Sequence, residues 1–414
     1  MGRRLIAAVL IAAVAAGGGL AWWLARGAGG ADGPPAAGPA RAVVVNVAGD
    51  LELVGDDGSR RQLTSDASSR LKYLQVTPAP DGTQVAYVRA TLAGADLMVQ
   101  PLDGGEPRRL FDGVRQRPFY LAWSPDSRWL SFLASDEEMH LYVAPADGGA
   151  EAEELRAGQP SYFAWTPDSS RLLMHIGGAG PRGGLFLREM PGGELERLAE
   201  QPGDFQAPGW DAAGAARFVV VSDGKHNHLA RVAGGASSPL TAPTEDAIIF
   251  SVSPDRERVA LVTVGEEGRS QLQIVAAGAA AAEEPSRPAQ TLPLAFFWSP
   301  DGSKIAVLSI ASTGVGPSGG GIVFVAQRNE PPGLRWEIVD LAAGTSRLHP
   351  PFAPSYEFAN LLPYFDQYAT SLALWSPAGD RLIYGTGAGV MALRVGDGST
   401  ELLSEGQHGV WVPR

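Results

Sequence analysis

An all-β fold, a β-propeller of four-stranded blades preceded by one amino-terminal transmembrane helix, is what this sequence predicts. Three observations carry it. One short pattern recurs along the chain: an apolar strand ending in an aromatic, a Pro-Asp turn, and a second apolar strand. Leu121-Ala122-Trp123, Ser124-Pro125-Asp126-Ser127 and Trp129-Leu130-Ser131-Phe132-Leu133 form one such copy. Glycine (52) and proline (32) are enriched at an ordinary apolar content of 45%, which suits many short strands and turns better than long helices. The first and last β-type segments are each an incomplete copy, and together they complete one, which would close a ring and leave no open sheet edge.

At the amino terminus, Arg3 and Arg4 precede an uncharged, mostly apolar run over residues 5–24. About 20 helical residues span roughly 30 Å, the thickness of a hydrocarbon core. Trp22 and Trp23 stand at the far end of the run, where interfacial aromatics prefer to lie. The basic flank is expected to stay in the cytoplasm, leaving everything after Arg26 outside it. Residues 1–26 therefore read as a single-pass signal anchor in the cell membrane. The alternative is a cleaved signal peptide, with Gly19 and Ala21 near the cleavage site and a secreted or periplasmic product. Residues 27–41 are dominated by Gly, Ala and Pro and read as a flexible linker. Residues 42–414 read as the propeller.

Composition excludes several chemistries. A formal net charge of −12 repels phosphate backbones, so nucleic acid is not an expected partner. With no cysteine there is no disulfide, thiolate catalysis, Cys-ligated zinc or lipidated cysteine.

Within the propeller, each unit is an apolar strand, a Pro-Asp turn, a second strand, a third strand ending in an Asp-Gly turn, and a fourth that often carries Arg and Leu. The first full unit runs through Pro80-Asp81-Gly82, Asp103-Gly104-Gly105 and Arg108-Arg109-Leu110. The turn returns at Ser124, Thr166, Ser253, Ser299 and Ser376, with a degenerate copy at Trp210-Asp211-Ala212-Ala213-Gly214. The aromatic before it returns as Trp123, Trp165, Trp210, Trp298 and Trp375. Most copies lie ~40–46 residues apart, the spacing of four-stranded blades. The closing Gly409-Val410-Trp411-Val412 matches a first strand; residues 43–64 match the other three. Counting first strands near Val76, Trp123, Trp165, Trp210, Val252, Trp298, Trp375 and Trp411 predicts eight blades; seven is the alternative if one weak copy is not a blade.

The Trp-Ser-Pro-Asp turns, the apolar strands after them and the Asp-Gly-Gly…Arg-Leu ends (Asp147-Gly148-Gly149, and Gly192-Gly193 before Arg197-Leu198) resemble the WD40-like repeats of TolB-type propellers. The same repeats occur in the propeller domains of prolyl-oligopeptidase-type and tricorn-type peptidases. The resemblance covers nearly all of residues 43–414. It implies the fold; it implies little about function, since such propellers serve many roles. No α/β-hydrolase domain is expected after the ring, and the separate amino-terminal domain of TolB proteins has no counterpart, so TolB's transport role does not carry over.

Strand order sorts the loops. Turns after strands one and three share one face of the disc, and loops after strands two and four share the other. The repetitive Pro-Asp and Asp-Gly turns read as scaffold. The two longest interruptions, residues 310–333 and 349–370, both fall on the opposite face, here the insertion face. The second is rich in aromatics, and Phe358, Leu361, Leu362 and Phe365 have helical spacing, with Pro363 set to kink or restart any helix. The candidate binding residues are Tyr356, Phe358, Tyr364, Phe365, Asp366, Gln367 and Tyr368. Tyr and Phe supply large contact area with few rotors; the competing reading is that these residues cover the rim or plug the channel.

Other motif matches are weak. Gly316-Pro317-Ser318-Gly319-Gly320 fits G-x-S-x-G but leads into a β-type segment where that elbow needs a helix. Residues 178–183 fit G-x-G-x-x-G but also lead into a strand. His226 and His228 lack an identifiable third ligand. No catalytic residue, metal ligand or cofactor is assigned. The expected function is a membrane-anchored, extracytoplasmic propeller that binds a protein or envelope-surface ligand through residues 310–333 and 349–370. The alternatives are a hydrolase or lyase with its site in the channel, and a sensor or accessory subunit of a transporter or envelope complex.

Overall fold

A computed structural model of the protein describes residues 39–177, 183–203, 207–266, 268–278, 285–311 and 333–414. The run at residues 5–24, the linker up to residue 38, and most of the 310–333 interruption lie outside the described residues, as do both glycine motifs apart from Gly183. Among the described residues no helix is long and apolar enough to cross a membrane.

The compact unit from Ala40 to Arg414 is an eight-bladed propeller, each blade a small antiparallel sheet. Blade 1 comprises Leu71–Pro78, Gln84–Thr91, Ala95–Pro101 and Arg108–Phe111. Blades 2 to 6 have inner strands at Arg117–Trp123, Ser161–Trp165, Gly209–Trp210, Ala247–Val252 and Ala295–Trp298. Blade 7 is built from Arg381–Thr386, Gly389–Arg394 and Thr400–Ser404; its inner strand is reduced to one bridge between Trp375 and Leu382. Blade 8 joins the chain ends. Arg41–Val45, Leu51–Gly55 and Arg60–Gln62 come from the start, and His408–Trp411 pairs antiparallel with Arg41–Val45, from Ala42 opposite Trp411 to Val45 opposite His408. The eight-blade count and the shared closing blade are as the repeat predicts. Blade 5 departs from the pattern: its third strand is broken into Gly268–Arg269 and Gln273–Ala276, and its outer edge is a bridge at Ser286.

The recurring residues explain the ring. In the Ser124 turn, the Ser124 hydroxyl donates to Asp126 at 2.6 Å and accepts from the Trp129 N–H at 2.9 Å. The fourth turn residue takes a left-handed φ, as at Gly82 (67°) and Ser127 (61°). The degenerate copy replaces serine with Asp211, whose carboxylate accepts the Ala215 and Ala216 N–H groups at 2.9 and 3.1 Å.

The aromatic before each turn reaches into the preceding blade. Trp123 Nε1 donates to Thr77 O at 2.9 Å, Trp210 to Ala164 O at 3.2 Å, Trp298 to Ser251 O at 3.2 Å and Trp375 to Phe297 O at 3.1 Å. Trp165 donates to the Ser131 hydroxyl at 2.9 Å, which passes the bond on to Ala122 O at 3.0 Å. Blade 5 has Val252 in place of the aromatic, and there Arg256 crosses the seam by donating to Trp210 O, one residue beyond the carbonyl position used in the other blades, at 3.0 Å.

Replacing Trp298 with Phe should keep most of the packing while stranding the Ser251 carbonyl. A buried acceptor left without its donor costs about 1–3 kcal/mol. Chemical denaturation should show that loss for W298F and for Arg256→Ala, and a larger loss, about 3–5 kcal/mol, for Trp298→Ala. At the ring seam, a Cβ on Gly82 would stand 2.2 Å from the Pro413 carbonyl oxygen, at a φ that disfavours side chains. Gly82→Ala should therefore destabilise the closing blade, lowering Tm and raising amide exchange across His408–Trp411 relative to blades 3 and 4.

Candidate functional site

The 349–370 segment begins at the outer edge of blade 6 and ends in the channel. Phe352 pairs with Leu334 through two 2.8 Å backbone bonds. Ser355 caps a short helix, Tyr356–Leu361, by accepting the Phe358 N–H at 3.2 Å, and its own hydroxyl donates to Gln407 O at 2.7 Å. A 3-10 turn follows at Leu362–Tyr364, where Pro363 falls in the first turn and ends the α-helical hydrogen bonding; a second helical turn is Phe365–Tyr368. The helical spacing and the restart at Pro363 are as read from sequence.

Five of the seven candidate residues point inward. Phe358 is buried against Trp336 and Phe352. Phe365 meets Phe296 edge to face, with centroids 4.9 Å apart. The Gln367 amide donates to Ser161 O at 3.0 Å. The Tyr368 hydroxyl donates to Gln75 Oε1 at 3.3 Å, and its ring meets Tyr120 at 5.2 Å. One short segment thus touches the inner strands of blades 1, 2, 3 and 6, and it plugs the channel at the insertion face. Tyr356 and Tyr364 are the two that face out, at 74% and 57% exposed.

Asp366 is carried inside by this plug. Burial pushes its carboxyl up to about 6, against the pull of its own and the Gln367 backbone N–H groups and of the Arg269 guanidinium. Arg269 donates to Leu294 O at 2.8 Å and lies over the Phe365 ring. Burial likewise raises the Tyr120 and Tyr162 phenols, and lifts Tyr368 to about 12.

Three channel residues escaped sequence reasoning: Gln75, Tyr120 and His408. Gln75 and Tyr120 hold left-handed φ values of 55° and 46° at bulges in their inner strands. Tyr120 donates its backbone N–H to Gln75 Oε1 at 3.2 Å. A positional signal could have found them. Tyr120, Tyr162, Leu372 and His408 each stand three residues before the inner-strand tryptophan of their blade, and Gln75 stands in the matching place before its turn.

The His226 hairpin is held by Asp223, whose carboxylate accepts the Lys225 and His226 N–H groups at 2.9 and 2.7 Å. Among the described residues no group of three or more His, Asp or Glu is placed to hold a metal ion.

No protein-family model matches the chain. The tricorn protease homolog 1 of Streptomyces coelicolor is 25% identical over 231 residues, covering 52% of this chain and 21% of that protein. Among solved structures, a prolyl endopeptidase is similar with a TM-score of 0.53 at 14% identity, over 83% of this chain and 50% of that one. A eukaryotic initiation factor is similar with a TM-score of 0.53 at 12% identity, over 92% and 99% of the two chains. The chain therefore spans about a fifth of its curated relative and half of the endopeptidase. The β-propeller read from the repeats is the fold of this chain, and at these identities the likeness to the endopeptidase is one of fold.

Asp366 and His408 oppose each other in pH dependence. The folded chain holds the Asp366 proton more tightly than the unfolded chain, so that contribution is full below pH 3.8 and is lost as pH rises through about 6. Burial lowers His408 from 6.5 to about 4, so its contribution is full above 6.5 and is lost as pH falls through about 4. Each is worth about 3 kcal/mol. Asp366→Asn should remove one slope and expose the other, so that stability of D366N rises by up to about 3 kcal/mol between pH 4 and 6.5 where the parent profile is nearly flat. Denaturant titrations at several pH values measure this, and superimposable profiles would contradict the assignment.

Proposed function

We propose that this chain is a membrane-anchored, extracytoplasmic propeller that binds a protein or envelope-surface ligand through its insertion face. The carrying observation is the division within the 349–370 segment. Its inward residues tie it to several blades, while Tyr356 and Tyr364 stand out on that rigid base. Exposed aromatics on a fixed support suit partner contact, because little rotamer freedom is lost on binding. The sequence supports the anchor through the apolar run at residues 5–24 and its basic flank. The described ends of the other interruption, Ala311 and Gly333, lie on the same face by strand order. A sensor or accessory subunit of an envelope complex would use this face in the same way.

Asp366 favours a second reading, the channel-site hydrolase or lyase. A buried carboxyl with a raised pKa is the form a general acid takes. The plug places it beside aromatic rings and Arg269, with no nucleophile assigned, so binding is the better supported function.

Deleting the whole segment would also remove Phe358, Phe365 and Tyr368 from the core, so point variants are the sharper test. Tyr356→Ala combined with Tyr364→Ala should cut recovery of an envelope partner at least about ten-fold, at 1 kcal/mol or more per anchor, with Tm unchanged. Equal recovery by parent and variant in a quantitative pull-down would overturn the proposal.

A further inference from the structure

A cavity of about 290 Å³ opens on the insertion face where the ring closes, between the plug and the inner strands of blades 8 and 1. Its lining includes His408, Gln75 and Tyr368, with Leu71, Leu361 and Leu372 as aliphatic wall. His408 is 8% exposed. Among the described residues its imidazole enters no hydrogen bond or ion pair, although His408 lines open space. Gln75 is half-satisfied: Oε1 accepts from the Tyr120 N–H and the Tyr368 hydroxyl, while Nε2 has no acceptor among the described residues.

The position three before the inner-strand aromatic is polar in blades 8, 1, 2 and 3 (His408, Gln75, Tyr120 and Tyr162) and small or aliphatic in blades 4 to 7. The cavity lies on the polar half. Its floor is also neutral. Burial keeps the imidazole uncharged, and the charged lining residues Lys72 and Glu405 are exposed, with Glu357 half-exposed. A charged ligand group at the floor would give up water without meeting a counter-charge. A neutral group that both donates and accepts would meet a lone pair on His408 and an N–H on Gln75.

We infer that this cavity is a binding site for a neutral amide flanked by an aliphatic group. The amide N–H donates to the His408 imidazole, its carbonyl accepts from Gln75 Nε2, and the aliphatic part packs on Leu71, Leu361 and Leu372. At about 30 Å³ per water, the space holds roughly ten waters, enough for one capped residue. Such an amide is carried by a free small molecule or by a segment of a bound protein. The site goes beyond the exposed-tyrosine proposal and does not depend on it.

The test is calorimetric titration of the full chain with N-acetyl-leucinamide, repeated with the same leucine inside a capped tripeptide. Saturable binding is expected. His408→Phe, which keeps a ring and removes both nitrogens, should weaken it at least about ten-fold. Val47→Trp should do the same by obstruction: Val47 lines the cavity and is 75% exposed, so this variant leaves the core intact and decides the matter if H408F does not fold. Tighter binding of the tripeptide assigns the site to a protein segment, and equal or tighter binding of the single capped residue assigns it to a small molecule. Absence of saturable binding to the parent, or unchanged affinity in V47W, overturns the inference. Partner recovery through Tyr356 and Tyr364 is measured without the probe, so failure of one proposal leaves the other standing.

Discussion

The indole N–H that crosses from one blade to the carbonyl of the blade before it is the interaction on which this ring depends. An inner strand has a ladder neighbour on one side only, so alternate carbonyls on its free side need partners from elsewhere. A tryptophan placed at the end of the next inner strand fills the wedge between two sheets and supplies that partner with the same side chain. The pattern has exceptions: on the closing blade the buried Trp411 indole N–H finds no partner among the described residues, and two other blades bridge the seam differently. Between blades 2 and 3, Ser131 relays the bond from Trp165 to Ala122 O. Where valine takes the aromatic's place, Arg256 reaches across to Trp210 O. Tryptophan is the common way of carrying a hydrogen bond across the seam between two blades, and Arg256 carries one to the neighbouring carbonyl instead.

A ring held in this way leaves a channel along its axis, and the chain fills the mouth with its own 349–370 segment. The cost appears in blade 7, whose inner strand shrinks to the single bridge at Trp375. The residues just before that bridge are still leaving the plug: the Ser371 and Leu372 N–H groups donate to Tyr368 O at 3.0 and 2.8 Å. Blade 7 thus exchanges strand pairing for burial of Phe358, Phe365 and Tyr368. Apolar area removed from water compensates for a few lost ladder bonds, since each such bond is worth about 1 kcal/mol net and each large side chain about 1.5–3 kcal/mol.

Much of this was legible in the sequence because it repeats. The Pro-Asp turn, its left-handed fourth residue and the aromatic before it occur often enough that a degenerate copy at Asp211 can be recognised by position. The closing blade could be inferred because two incomplete copies complement each other. The plug was only half legible. Helical spacing and Pro363 gave its local form, but a helix within a channel meets walls on several sides, so spacing alone could not separate buried Phe365 from exposed Tyr364. Gln75 and His408 were missed because a polar residue inside a strand reads locally as solvent-facing. Only the offset from the aromatic, compared between blades, turns them into channel residues.

The plug's own sequence is matched to an uneven channel. Phe358 and Phe365 lie toward blades 6 and 7, against Trp336 and Phe296, where the inner positions are Ala295 and Leu372. Gln367 and Tyr368 lie toward blades 3 and 1, where Ser161 and Gln75 offer acceptors. Rotating the segment within the channel would bring phenylalanine to the polar half and leave the Gln367 amide without a partner, a penalty at both ends. One orientation is therefore selected, and it decides what faces out. The same match that turns Phe365 and Tyr368 inward leaves Tyr356 and Tyr364 in solvent and leaves His408 beside a space that the plug does not fill. Function is to be sought where the repeat's rules stop being satisfied from within, and on this face the two exposed tyrosines and the unpartnered imidazole are those places.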